Sequence, residues 1–256
     1  MLTINQLFKR LFSPEYMQHI FIGKSVFFPE RGILAIGDLH IGYEQSLIES
    51  GILVPERQVM EIIGDLKKII DEIKSREFQL KKIIFLGDIK HYFNYEWKEK
   101  FNFEKILDFL RQYVKDSDII LIKGNHDKFD FSGKKMKNYY FNSGIIFLHG
   151  HMSFPQVFEP RVSTIVIGHL HPSVLLSDKI DIKREKYKCF LHGFFNGKEI
   201  IIAPSFFGAI EGTPVNELGF SREDFSIIPY SELRNFEVHA ISDGREIFDF
   251  GKVKNL

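Results

Sequence analysis

Five short polar clusters in this chain combine residue types that bind divalent cations. Gly37-Asp38-Leu39-His40 comes first, then Gly87-Asp88-Ile89-Lys90-His91 and Lys123-Gly124-Asn125-His126-Asp127. His149-Gly150-His151 and Gly168-His169-Leu170-His171 complete the set. Carboxylate and amide oxygens mixed with imidazoles suit manganese, iron, zinc and similar ions. Thiolates have no part in it, because the only cysteine is Cys189. Seven of the ten histidines fall in these clusters, leaving His19, His192 and His239 outside. Asp38 with His40, and His169 with His171, can aim the same way off a strand, since residues two apart share a face. Two cations about 3.5–4 Å apart can clamp both the attacking and the leaving oxygen of a phosphoryl group.

Taken singly, each cluster has an ordinary explanation. A strand-end Asp or His is usually a helix cap or a turn residue, and Gly-Asn-His-Asp is good turn chemistry. Their shared position is what argues for function. Each follows a short apolar run, at 33–36, 83–86, 119–122, 145–148 and 165–167. These runs are rich in β-branched residues and read as strands buried on both faces. Open α/β sheets bind ligands at the carboxyl ends of their strands. The five segments are therefore expected to converge on one edge of the sheet.

Two stretches between the runs have helical period. Val59, Ile62, Ile63, Leu66, Ile69, Ile70 and Ile73 form one apolar face, and Phe103, Ile106, Leu107, Leu110 and Val114 form another. Strands alternating with helices predict an α/β domain with a partly parallel sheet. Beyond residue 165 the pattern turns to hairpins. Asn196-Gly197 and Asp243-Gly244 are two-residue turn signals between strand-like runs. The irregular, glycine-bearing stretch at 207–225 reads as loop.

Composition excludes some function classes. The 34 basic and 34 acidic side chains cancel, so bulk charge gives no pull toward nucleic acid. One cysteine builds no disulfide framework, and no apolar run is long enough to span a bilayer. The amphipathic N-terminus contains Glu15 and lacks a signal-peptide pattern. A cytoplasmic location is the expectation. The basic-aromatic patch of Lys134, Lys135, Lys137, Tyr139 and Tyr140 reads as a solvated surface loop. So does the mixed-sign stretch holding Lys179, Lys183, Arg184, Lys186 and Lys188. Pro204-Ser205-Phe206 is a candidate for lining the pocket, and Cys189 reads as buried packing.

The order Asp-x-His, Gly-Asp-x-x-His, Gly-Asn-His-Asp, His-Gly and Gly-His-x-His resembles the calcineurin-like metallophosphoesterases. The stretch GDLHIGYE and the Gly-Asp-x-x-His form resemble the small archaeal SbcD-related branch. This resemblance implies a two-sheet α/β (α+β) sandwich flanked by helices, as one domain over 1–256. The metal motifs would lie in 38–171 and the C-terminal hairpins in 187–256. It also implies two divalent metal ions, manganese first, with iron, zinc, nickel or magnesium as alternatives.

By motif position, Asp38, His40 and His171 correspond to ligands of one ion, and Asn125, His149 and His169 to ligands of the other. Asp88 corresponds to the bridging carboxylate. His126 corresponds to the acid that protonates the leaving oxygen, with Asp127 orienting it. His149 is favoured over His151, which with His91 is expected to be substrate-facing or supporting. The implied reaction is hydrolysis of a phosphate ester, most of all a phosphodiester such as a nucleotide or short nucleic acid, by a hydroxide between the metals. A repair-associated nuclease and a metal-binding scaffold that recruits repair partners are the alternatives. A dimer is compatible with the sequence, and no membrane partner is expected.

Overall fold

A computed structural model describes residues 18–92, 97–128, 133–177, 184–217, 226–242 and 246–256. The Asp243-Gly244 turn, the N-terminal seventeen residues, Lys179, Lys183 and part of the 207–225 stretch lie outside them.

The apolar runs become strands in two sheets. The first contains β1 (Ile20–Ile22), β2 (Ser25–Phe28), β3 (Ile33–Ile36), β4 (Lys82–Phe85) and β5 (Ile119–Leu121), in that order. β1, β2 and β3 meander antiparallel, then β3, β4 and β5 run parallel. Two helices supply the crossovers: α2 (Gln58–Ser75) links β3 to β4 and α3 (Trp97–Leu110) links β4 to β5. A short α1 (Tyr43–Glu49) precedes α2.

The second sheet contains β6 (Tyr139–Asn142), β7 (Ile145–Leu148), β8 (Thr164–Ile167), β9 (Pro172–Ser177), β10 (Arg184–Phe195), β11 (Lys198–Ile202) and β12 (Thr213–Pro214). β7, β8 and β11 are parallel, in that spatial order. β10 turns into β11 through Asn196-Gly197, as the turn dipeptide predicts. β13 (Glu237–Ser242) pairs with β10, and β14 (Glu246–Lys252) with β13.

Side-chain alternation builds three apolar layers. Ala35, Ile84, Leu86 and Ile122 of the first sheet meet Phe147, Val166, Phe190 and Ile201 of the second in the layer between the sheets. Leu34, Ile36, Ile83 and Phe85 point outward, under Ile62, Leu66 and Ile70 of α2 and Phe103, Ile106 and Leu107 of α3. The outer face of the second sheet is covered differently. Val157 of a 3₁₀ turn (Pro155–Phe158), Leu233 of α4 (Tyr230–Leu233) and Phe236 pack on Ile146, Leu148, Ile165 and Ile167. Long helices therefore flank only the first sheet among the described residues. No described helix is long and apolar enough to cross a membrane.

The five motifs do not follow strands of one sheet, as first expected. Three follow β3, β4 and β5, and two follow β7 and β8. Very similar buried runs can join either sheet, and their partners are set by contacts far apart in sequence.

Candidate metal centre

The carboxyl ends of the parallel strands in both sheets face each other, and the five clusters meet there. Asp38 and His169 belong to different sheets, yet the His169 amide donates to both carboxylate oxygens of Asp38, at 3.2 and 3.1 Å. Asp88 is held similarly: the amide of His126 donates to its Oδ1 at 2.9 Å. Both carboxylates are buried. His40 Nε2 and His171 Nε2 approach to 3.2 Å. His149 Nε2 lies 2.9 Å from Asn125 Oδ1 and 3.4 Å from Asp88 Oδ2, while its Nδ1 donates to the Leu86 carbonyl at 2.9 Å. That last bond leaves Nε2 as the atom facing the cluster.

Three overlapping sets of donors result, each within 4.8 Å: Asp38, His40 and His171; His40, Asp88 and His126; and Asp88, His149 and His169. Asp88 is shared between the second and third. Oxygen and imidazole donors converging from both sides of a shared carboxylate fit a pair of divalent cations.

Backbone geometry reflects this crowding. His40, Asp88, His169 and His171 have φ of 45°, 44°, 67° and 43°, the left-handed region that a non-glycine residue enters at a cost of roughly 1–2 kcal/mol. Such conformations cluster where function over-determines the backbone. The glycines of the motifs provide space. A Cβ on Gly124 would lie 2.1 Å from Asp88 Oδ1, and one on Gly168 would lie 2.6 Å from Asp38 Oδ2.

Electrostatics follows from burying carboxylates among imidazoles. Burial alone would raise the Asp38 carboxyl, but His171 and His149 outweigh it and hold it at about 2. Asp88 is held well below the usual carboxylate range against the same burial, chiefly by His149. His149, resisting burial, is pushed up to about 9 by Asp88 and Asp38. His40 is driven down to about 3 by burial and by His171. Burial, helped by His126, lowers His91.

A family model, calcineurin-like phosphoesterase, matches residues 32–193, well over half the chain and every one of the five clusters. The chain belongs to that family. As a calcineurin-like phosphoesterase it is a metal-dependent hydrolase of phosphoesters, and the buried Asp and His donors above are where divalent ions fit. No curated protein matches the chain. Among solved structures, the nuclease MPE of Pseudomonas putida is similar at 16% identity, with a TM-score of 0.56 over 89% of this chain and 92% of that one. A predicted phosphoesterase of Streptococcus pneumoniae TIGR4 is 14% identical over 84% and 91%, with a TM-score of 0.34. Vps29 of Entamoeba histolytica, complexed with zinc, is 16% identical over 86% and 99%, with a TM-score of 0.37.

Within this phosphoesterase, the expected site residues are brought together, with one revision. Asp127 was expected to orient His126. Its carboxylate accepts instead from the backbone amides of Gly124 (3.0 Å), Ile89 (3.3 Å) and Lys90 (3.4 Å), which brace the two motif loops against each other. Burial and the neighbouring Asp88 push it up to about 6. The ring of His126 is set by the main-chain carbonyl of His91, 2.6 Å from Nδ1. The reason is local: the residue after His126 turns back under the loop, while the Asp88–His91 loop runs past the imidazole edge.

His91 and His151 lie beside the donor sets. The His91 ring stacks on His126 at 5.9 Å and meets His40 edge-on. His151 sits 5.1 Å from the ring of His149, and burial, with His149 and His169, lowers it to about 4. Pro204-Ser205-Phe206 supports the site from behind: Ser205 Oγ and the Phe206 amide donate to the Asp38 carbonyl at 3.1 and 3.0 Å.

Three supports escaped the sequence reading. Gln58, at the start of α2, donates to the carbonyls of Leu39 and His40 and accepts from the Gly42 amide. Glu99 accepts from the amides of His91 and Tyr92. It lies on the same face of α3 as Phe103 and Ile106, so a charge on an apolar stripe was the visible signal. Lys188 reads from the sequence as part of a solvated basic stretch. Its ammonium donates to the carbonyls of Ser205 and Phe207 at 2.7 and 2.5 Å, and burial drives its pKa well down. Only tertiary packing reveals that.

Proposed function

We propose that this phosphoesterase hydrolyses a phosphodiester, a nucleotide or short nucleic acid, at a centre holding two divalent ions, manganese first. Asp38, His40 and His171 hold one ion; Asn125, His149 and His169 hold the other; Asp88 serves both. The observation that carries this reading is Asp88 standing between the two donor sets with the His126 ring beside it, Nε2 at 3.9 Å from Asp88 Oδ2. When bound, the ions acidify a water to hydroxide near neutral pH and offset charge on the phosphoryl oxygens.

The chain's own groups do the rest. With Nδ1 committed to the His91 carbonyl, His126 presents Nε2 to the substrate and protonates the departing oxygen. The leaving group of an alkyl diester departs as an alkoxide, for which such a proton matters greatly. His91, stacked on His126, lines the same side. Next to this loop lies a groove of about 430 Å³, with Tyr92 and Trp97 among its lining and Lys98 and Lys105 at its edge. The exposed Trp97 ring there suits a stacking base. Glu44, Glu49 and Glu56 line it too, which favours a short ligand over a long polyanion. The fold neighbour from Pseudomonas putida is named a nuclease, which makes nucleotide diesters the first class to try.

The test is to strip metal, restore manganese and compare bis-p-nitrophenyl phosphate with p-nitrophenyl phosphate, using Asp88→Asn as control. Diester cleavage that needs manganese and Asp88 supports the reading. Cleavage of the monoester alone makes the protein a phosphomonoesterase and removes the nucleotide-diester proposal.

A further inference from the structure

The three histidines outside the motifs also come together, at the other end of the sandwich. Glu199 of β11 pairs with Thr164, the first residue of β8, whereas the metal centre follows its last residue, Ile167. His192 of β10 faces the same way as Phe190, and Glu199 the same way as Ile201, both members of the layer between the sheets. His239 of β13 shares that face with Ile241. His19 arrives from the first sheet, one residue before β1. Phe21 stacks on Phe190 with centroids 4.2 Å apart, so β1 lies over β10 and the ring of His19 reaches that of His192 at 5.1 Å.

We propose that His19, His192 and Glu199 form a separate site for one zinc-class divalent ion, which ties the two sheets together at this end. Their donor atoms lie within 4.8 Å of one another. Glu199 Oε1 is 3.0 Å from His192 Nε2 and 3.8 Å from His19 Nδ1. A tetrahedral ion with bonds of about 2.0–2.2 Å needs donors roughly 3.3–3.6 Å apart. Shifts on the order of 1 Å therefore complete the triad.

Two further observations point to a ligand. His19 Nδ1 is buried and has no hydrogen-bond partner among the described residues, although a buried imidazole nitrogen ordinarily has one. Glu199 is already oriented: Thr164 Oγ1 donates to its Oε2 at 2.8 Å, which turns Oε1 toward the imidazoles. The protonation states also suit a cation. Burial lowers His19 to about 4, so its ring is neutral at pH 7. Glu199 is lowered despite burial, by its bonds from His192 and Thr164, and is ionised. An adjoining donor set of His192, Glu237 and His239 can supply a fourth ligand.

The experiment uses the full chain carrying Asp38→Asn and Asp88→Asn, so that the catalytic centre competes less for metal. After incubation with zinc and removal of excess, zinc content is measured by atomic emission and Tm by calorimetry. We expect Glu199→Gln and His19→Gln, each added to this background, to lower the content by one zinc per chain and to abolish a zinc-induced rise in Tm. Far-UV circular dichroism checks that each variant is folded, and either variant alone decides the outcome. Zinc content and Tm shift unchanged by these substitutions, or no zinc bound before them, would overturn the proposal. Catalysis is not read, so failure here leaves the phosphodiesterase reading untouched.

Discussion

The Nδ1 atom of His126 sits 2.6 Å from the main-chain carbonyl of His91, so a backbone group, not a carboxylate, sets the tautomer of the proposed acid. Side-chain truncation at His91 leaves that carbonyl in place. On a nucleoside alkyl diester, His91→Ala is expected to lower kcat by less than about tenfold, while His126→Ala lowers it by about 10²–10⁴. Steady-state kinetics on both variants checks this; equal losses would mean the His91 ring itself takes part.

Gly124 leaves no room for a side chain beside Asp88. In Gly124→Ala the new methyl would lie 2.1 Å from Asp88 Oδ1 and 2.3 Å from its amide nitrogen. Asp88 must shift, so we expect loss of bound manganese with the far-UV spectrum retained, and Tm lower by several degrees. Metal content after gel filtration is the readout. Full loading would show that the loop yields without cost to the site.

Lys188 holds the segment that supports Asp38. Lys188→Met keeps the stem and removes the donor, leaving the carbonyls of Ser205 and Phe207 short of a partner. The expected destabilisation is about 1–3 kcal/mol, measured by urea unfolding, together with weaker manganese binding. A variant as stable as the parent would show that water replaces the ammonium.

The metal-free centre has a definite pH dependence. His149 is raised from 6.5 to about 9, so it contributes stability that is complete below 6.5 and lost as pH rises toward 9. His40, lowered to about 3, and His19, lowered to about 4, act in the other direction: the unfolded chain takes up protons first, and stability falls as pH drops below 6.5. Asp127, raised to about 6, opposes this only in part. The metal-free protein is therefore expected to be most stable near pH 6.5. Metal must also displace the His149 proton, so manganese affinity rises with pH up to about 9. Calorimetric titration in buffers of different ionisation enthalpy measures that proton; zero release would refute the assignment of His149.

Much of this was legible because it is local. Runs at 33–36 and 145–148 became β3 and β7 without change of boundary. The polar clusters lie at strand ends because that is where a chain leaves a buried sheet. The allocation of Ile145 and Ile165 to a second sheet was not legible, since the choice depends on pairing over long distances. Nor were the left-handed backbones of Asp88 and His171, since Asp and His enter that region more often than most residues but still seldom. Lys188 reads as a solvated charge because its partners are backbone groups of a distant loop. His19, His192 and His239 are separated by so much chain that nothing in their spacing announced a cluster.

His126 is proposed to deliver the proton to the leaving oxygen at a two-ion centre. The most direct test is the effect of His126→Ala on two manganese-dependent diester hydrolyses that differ only in leaving group. With a p-nitrophenyl ester, whose leaving group departs without a proton, a small loss is expected. With a nucleoside alkyl ester, whose alkoxide needs one, the expected loss is about 10²–10⁴. Equal losses on both would contradict it and assign His126 to holding the phosphoryl group instead.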